Sequence, residues 1–277
     1  MALPLPILDD VPPLPPVDVT NIHPPVQDRY ETYEGERIEW EDRKTCWISL
    51  NKQGGIVWKR LRIGAITMSM ISKIAKRVPR FMQTPPDELA RQICGLSEPY
   101  FPPEALARMN VGSKGEPILR EWDAKELGVV IKEVGIGVYK KDPRFRGSMD
   151  GDINESDFCE YKIPERMYRQ LIEFIEAIKK GYTPPPSEHS HIFNSHYDQM
   201  IGNAEIHGKQ RCNYVVCAAS NSTVYRQWVP ADPDHWNNCL YPAGVTFYNT
   251  YVEPLLRKHK IRRIDPCPDT PVHIYKA

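Results

Sequence analysis

The hydrophobic period of this chain changes at Gly128, and that change limits the folds open to it. Ahead of it, residues 103–127 read as one long helix, opened by Pro103, loosened near Gly112 and capped by Gly128. Behind it, segments 129–133 and 134–139 are rich in β-branched residues and read as strand. Segments 146–150 and 158–163 read as two more strands, joined by a polar turn. Helical spacing returns over 165–180, through Met167, Leu171, Phe174, Ile175 and Ile178, and stops at Gly181. The rest predicts a helix over 196–207, a hairpin of 212–219 with 223–229 around Asn221-Ser222, and a last helix over 234–258 that Pro242-Ala243-Gly244 breaks. Upstream, Thr67 is placed to cap a helix over 67–77, and Pro86 opens another that Gly95 ends. Helices, a meander of strands, two helices, a hairpin and a helix predict an α/β domain with a central mixed sheet flanked by helices.

Domain organisation follows from proline. Residues 1–38 are Pro-rich, as in Pro12-Pro13-Leu14-Pro15-Pro16, and predict a flexible extended arm, with a polyproline ligand for a partner as the alternative. Residues 39–277 predict a single domain. Of the 277 residues, 41% are apolar, enough for an ordinary core, yet no run is long enough to span a membrane. The N-terminus lacks an apolar targeting segment, and the seven cysteines form no C-x-x-C pair. These features predict a non-secreted protein of a reducing compartment, cytoplasmic or, if viral, in the host cytoplasm or nucleus, with no membrane partner. The formal net charge of zero argues against coating of nucleic acid over the whole surface but leaves room for a basic cleft. Basic residues gather at 59–62, 73–80, 140–146 and 257–263, each a solvated face when taken alone, while two of the runs flank the acidic residues in sequence and suit a phosphate-tracking groove. His189, His191 and His196 form the one histidine cluster, without the spacing of a zinc site.

The chemistry concentrates in one place. Glu160-Tyr161-Lys162 lies in a predicted strand, so Glu160 and Lys162 share a face and Tyr161 points the other way, free to offer its carbonyl to a cation. Asp150 ends the preceding strand in Gly147-Ser148-Met149-Asp150-Gly151, and a hairpin would set it beside Glu160. Asp152 is a rival, two residues on and aimed at the same face if the strand continues. Glu116 sits on the long helix, where Gly112 and Gly115 would allow close approach to a neighbour. An acid-x-Lys triplet alone says little. The chain also holds Asp42-Arg43-Lys44 and Asp123-Ala124-Lys125, each readable as a solvated salt-bridging pair. Two or three carboxylates with a lysine are what hydrolysis of a phosphodiester by a Mg²⁺-activated water requires.

These residues, in this order, resemble the PD-(D/E)XK nucleases, and more narrowly the YqaJ and lambda-exonuclease branch that includes viral alkaline exonucleases. The match runs from about Leu61 to Leu256 through Arg62-Ile-Gly64-Ala-Ile-Thr67-Met-Ser69, Gly112-x-x-x-Glu116-Pro117, Ser148-x-Asp150-Gly151, Glu160-Tyr161-Lys162-Ile163-Pro164 and Tyr197-Asp198-Gln199. It departs at Ile201, where the family often has a second glutamine. The resemblance implies a restriction-endonuclease-like core with Glu116, Asp150, Glu160, Lys162 and Gln199 as catalytic residues. It implies Mg²⁺, with Mn²⁺ as a substitute, held by Asp150, Glu160, the Tyr161 carbonyl and Glu116, and DNA phosphate held by Arg62, Thr67, Ser69 and Tyr197. The implied activity is 5′-to-3′ exonucleolytic hydrolysis of linear duplex DNA with a 5′-phosphate end, in viral-type recombination. A single-strand annealing protein is an implied partner, and a homo-oligomer an implied assembly. The alternatives are an endonuclease or RNA-degrading nuclease on the same scaffold, and a non-catalytic DNA-binding module.

Overall fold

The computed structural model describes Ile38, residues 40–185 and residues 188–266. Nearly all of the 1–38 arm thus lies outside the described residues, but its last member does not. Ile38 is buried against Val57, Leu61 and Ile136.

Strands β1 (Trp40–Asp42) and β2 (Cys46–Ser49), helix α1 (Ile56–Arg62) and the short β3 (Ile66–Thr67) come first, none of them marked by a clear period in the sequence. Helix α2 (Met68–Ile74) starts at the expected threonine, but the Thr67 hydroxyl makes no capping bond. Helix α3 (Pro86–Ile93) and helix α4 (Pro103–Leu127) start and stop where proline and glycine predict, with Gly128 left-handed at φ 66°. Helix α4 runs unbroken past Gly112, whose missing side chain would meet only open space; that glycine gives no close approach.

Of residues 129–139 only β4 (Gly137–Tyr139) is regular strand, and Lys132 makes a single bridge to Asp152. The strand expected over 146–150 divides. Strand β5 (Phe145–Gly147) belongs to one sheet and β6 (Gly151–Asp152) to another, with Ser148–Asp150 passing between them. The single central sheet of the sequence reading is therefore two mixed sheets. One has the order β1-β2-β4-β5-β3. The other joins β6 to β7 (Asp157–Lys162), β8 (Arg211–Cys217) and β9 (Val224–Pro230). Strand β7 pairs antiparallel with β6 and parallel with β8. Helix α5 (Arg169–Lys179) is shorter than predicted and omits Met167; helix α6 (Asn194–His207) ends at left-handed Gly208.

Strand β7 separates two apolar layers. Cys159 and Tyr161 join Leu119 of α4 on one face, while Phe158 joins residues of α5 and α6 on the other. The last helical run is not broken at Pro242. It passes through α7 (Pro233–His235), α8 (Tyr241–Phe247) and α9 (Glu253–Lys258), linked by π-helical segments Trp236–Leu240 and Tyr248–Val252. Each π segment ends two residues before a proline, Pro242 or Pro254, so the wider turn accommodates a residue that cannot donate to the preceding turn. Gly244 faces Phe145, whose ring occupies the space of any added side chain. Among the described residues no helix is long and apolar enough to cross a membrane, and all six described cysteines are free.

Candidate active site

Strand β6 is only two residues long, so the upper half of β7 has no strand beside it on that edge. Asp150 fills the gap. The register that sets Gly151 opposite Cys159 brings Asp150 level with Glu160, and the Asp150 carboxylate accepts the Tyr161 backbone N–H at 2.7 Å. The rival acid is committed elsewhere. Asp152 binds Arg43 at 2.5 Å and Lys209 at 2.6 Å. Burial would raise its pKa, but these two cations outweigh that and hold it low.

On the α6 face of β7, Glu160 is fully buried and accepts from Lys162 at 2.5 Å. Burial, then the neighbouring Asp150 charge, pushes Glu160 up to about 8, against the pull of Lys162. Burial and Asp150 push Glu116 up to about 7, although Lys162 and Arg120 act the other way. Burial likewise raises Asp150. Burial alone would lower the Lys162 ammonium, but Glu160 and Asp150 prevail and hold it above its ordinary value. Lys162 is thus a protonated donor, suited to orienting a water or stabilising negative charge rather than to removing a proton. Asp150, Glu160 and Lys162 are brought together at the β6–β7 hairpin, and Glu116 of α4 lies near enough to act electrostatically on Glu160 and to be raised by Asp150.

Sequence reasoning missed Asn203. It lies on α6 with no exposed surface and donates to the Ser148 carbonyl at 3.0 Å and to Glu160 at 3.5 Å. Its signal was available, since it stands four residues after Gln199 and so on the same helix face. Gln199 is partly exposed one turn away. Tyr197 is turned elsewhere. It is 5% exposed, stacks on His189 and donates to Asp232 at 2.9 Å, so it anchors α6 in the fold rather than facing a ligand.

A second group lies on α1 and α2. Arg62 donates to Ser69 at 3.1 Å and to Thr67 at 3.4 Å, and its guanidinium stacks 4.3 Å over Trp58. Among the described residues no carboxylate is found to act on it, and burial lowers it to about 10. A cation beside two hydroxyls offers the kind of donors that an oxyanion would use. The indole of Trp58 donates to Ser148 at 2.9 Å, two residues before Asp150, so the two groups are mechanically joined.

Other sequence-level candidates have structural roles. Arg146, in the third basic run, is wholly buried and binds Asp265 at 2.8 Å as well as the Leu61 and Ile264 carbonyls. In the same run Lys140, Lys141 and Arg144 pair with Asp42, Glu205 and Asp142. Every cation of that run is therefore paired with an acid of the same chain. His191 binds Tyr225 and Gln227, and His196 binds Tyr214; they do not converge.

Whether the acidic set fits a divalent cation turns on its donors. Asp150 and Glu160 are hard oxygen ligands already repelling one another, a repulsion a cation would relieve. Among the described residues no three His, Cys, Asp or Glu side chains gather tightly enough to hold an ion unaided. Hard carboxylate oxygens are the donors Mg²⁺ takes, with water completing its shell, and the set holds none of the thiolate or imidazole ligands of a zinc cage.

No protein-family model and no curated protein matches the chain. Solved structures do. The architecture is that of an alkaline exonuclease, which bears out the fold the motifs implied. The structure of the alkaline exonuclease LHK-Exo from Laribacter hongkongensis aligns with a TM-score of 0.53 at 21% identity, over 74% of this chain and 98% of that one. The structure of LHK-Exo in complex with dAMP aligns with a TM-score of 0.54 at 20% identity, over the same shares of the two chains.

Proposed function

We propose that the chain is a Mg²⁺-dependent deoxyribonuclease that degrades linear duplex DNA from a 5′-phosphorylated end. The observation that carries this reading is the β7 edge: Asp150 fixed on the Tyr161 N–H, level with Glu160, and a protonated Lys162 in contact with that glutamate. The Arg62 cation and its two hydroxyls, tied to Ser148 through Trp58, add a place for a terminal phosphate. The fold shared with an alkaline exonuclease, one of whose structures holds dAMP, supports the choice of substrate class.

Asp150 and Glu160 would hold the cation together with the Tyr161 carbonyl, and Glu116 would hold a second one or its waters. Mg²⁺, with Mn²⁺ as a substitute, supplies a water of lowered pKa and neutralises charge on the phosphate. Lys162 keeps its proton and donates to the attacking water or to an oxygen gaining charge. Asn203 holds the Glu160 carboxylate, and Gln199, one turn away on α6, would act on the bound phosphate or the water. Arg62, Ser69 and Thr67 bind the end phosphate and set which bond meets the carboxylates.

The test is degradation of 5′-phosphorylated linear duplex with Mg²⁺, against a closed circle. Linear DNA should be consumed and the circle spared, and Lys162→Ala should slow the reaction by at least about 100-fold while leaving DNA binding in place. Cleavage of circles would make the protein an endonuclease. Undiminished cleavage by Lys162→Ala would remove the site assignment.

A further inference from the structure

Asp123 belongs to one of the acid-x-Lys triplets that read as a solvated pair. Only half of that reading describes it. Lys125 makes an exposed bridge to Glu121 at 2.9 Å, whereas Asp123 has no exposed surface at all. Its carboxylate gathers donors from three adjacent strands. The Tyr161 hydroxyl on β7 reaches it at 3.0 Å and the Asn213 amide on β8 at 2.7 Å, and Arg226 on β9 closes an ion pair. The Arg226 guanidinium also lies 5.2 Å from the ring of Trp122, the neighbour of Asp123 on α4. A buried charge is expensive unless fully partnered. Here the partners tie one point of α4 to every long strand of the sheet that carries the site.

Glu116 lies seven residues before Asp123, two turns or about 10 Å along the same face of the helix. Buried Leu119 stands between them on that face. Glu116 is the one acid of the set that does not come from the β6–β7 hairpin, so its distance from Asp150 is set by how α4 docks. Pro117, directly after it, removes the backbone bond to the Ser113 carbonyl and weakens the helix at that point, which leaves docking to the anchor below. The anchor also grips Tyr161 by its ring, while the backbone of the same residue holds Asp150.

Resting on the nuclease reading above, we propose that Asp123 is a positioning residue, whose contacts with Tyr161, Asn213 and Arg226 set Glu116 and Asp150 at the spacing a divalent cation needs. The test is Mn²⁺ binding to the full chain without DNA, followed by electron paramagnetic resonance well below the melting temperature of each variant. Asp123→Asn keeps the volume and removes the charge, and should weaken Mn²⁺ binding by about 10-fold, as loss of a ligand-orienting partner does. Tyr161→Phe removes one donor and should weaken it less. A role confined to stability would lower the melting temperatures and leave Mn²⁺ affinity alone. If Asp123→Asn does not fold, Tyr161→Phe decides by the same criterion. Unchanged affinity in the folded variants overturns the positioning role and leaves the nuclease reading standing. A wild-type chain that binds no Mn²⁺ overturns both.

Discussion

His207 offers a quantitative test of how the fold holds Gly147-Ser148-Met149-Asp150 in place. It ends α6, is 5% exposed, and its Nε2 lies 3.1 Å from the Gly147 carbonyl. That contact requires Nε2–H as donor, which leaves Nδ1 unprotonated, 3.7 Å from the Cys46 thiol. Burial is the main reason its pKa falls from 6.5 to about 4, with nearby Lys209 and Arg43 acting in the same direction. A histidine of lowered pKa binds its proton more readily in the unfolded chain, so acid favours unfolding between those two values. Above 6.5 the ring is neutral in both states and contributes no slope; the loss begins as pH falls through 6.5 and is complete near 4. The whole shift is worth about 3 kcal/mol, and going from about pH 7.5 to about pH 5 exposes roughly 2 kcal/mol of it. The raised acids Glu160 and Glu116 have the opposite sign, since their stability contribution falls as pH rises from 4.5 through about 8 and about 7. The wild-type slope alone is therefore ambiguous, and the comparison must be between variants. His207→Gln keeps an amide donor near the Nε2 position and cannot titrate. Urea unfolding of both proteins at the two pH values should show wild type losing about 2 kcal/mol more than the variant on acidification. Equal losses would mean that His207 is not buried as a neutral ring, and the account of how Gly147 is held would fail with it.

Two further perturbations probe separate parts of the structure. Arg62→Ala removes the cation that donates to Ser69 and Thr67. It should cut the preference for 5′-phosphorylated over 5′-hydroxyl duplex by about 10-fold or more, the value of a charge-assisted bond of roughly 1.5–3 kcal/mol, as measured by relative kcat/KM on the two substrates. Gly202→Ala puts a methyl group on the face of α6 that packs against Met68 and Trp236, where the Met68 sulfur already fills the space. Overpacking there should cost about 1–3 kcal/mol in urea unfolding, and an unchanged midpoint would contradict the close approach of α2 and α6.

The sequence reveals what neighbouring residues decide among themselves. Alternation along Asp157–Lys162 puts Glu160 and Lys162 on one face, and Gly128 and Gly208 end α4 and α6 because only a left-handed residue closes those turns easily. What it conceals is the partner of each charge. Asp150 and Asp152 are equivalent by spacing, and the choice between them is made by Arg43 and Lys209, which lie 109 and 57 residues from Asp152. Arg146 sits in a basic run that looks like a groove, yet it is drawn inside by Asp265, 119 residues on. Asp123 looks solvated because its donors arrive from 38, 90 and 103 residues away. In each case the local pattern fixes which side of a strand or helix the group leaves, and burial then makes an unpaired charge too costly to keep. Protonation at this site is therefore a tertiary property. Lys162 keeps its proton because Glu160 and Asp150 face it, and Glu160 is pushed up to about 8 because burial, and then the charge of Asp150 beside it, disfavour its ionised form. The same reasoning explains why the acid-x-Lys triplets diverge: Asp42 and Lys125 reach solvent-side partners, whereas Glu160 is enclosed by α6 on a strand edge that the two-residue β6 leaves open.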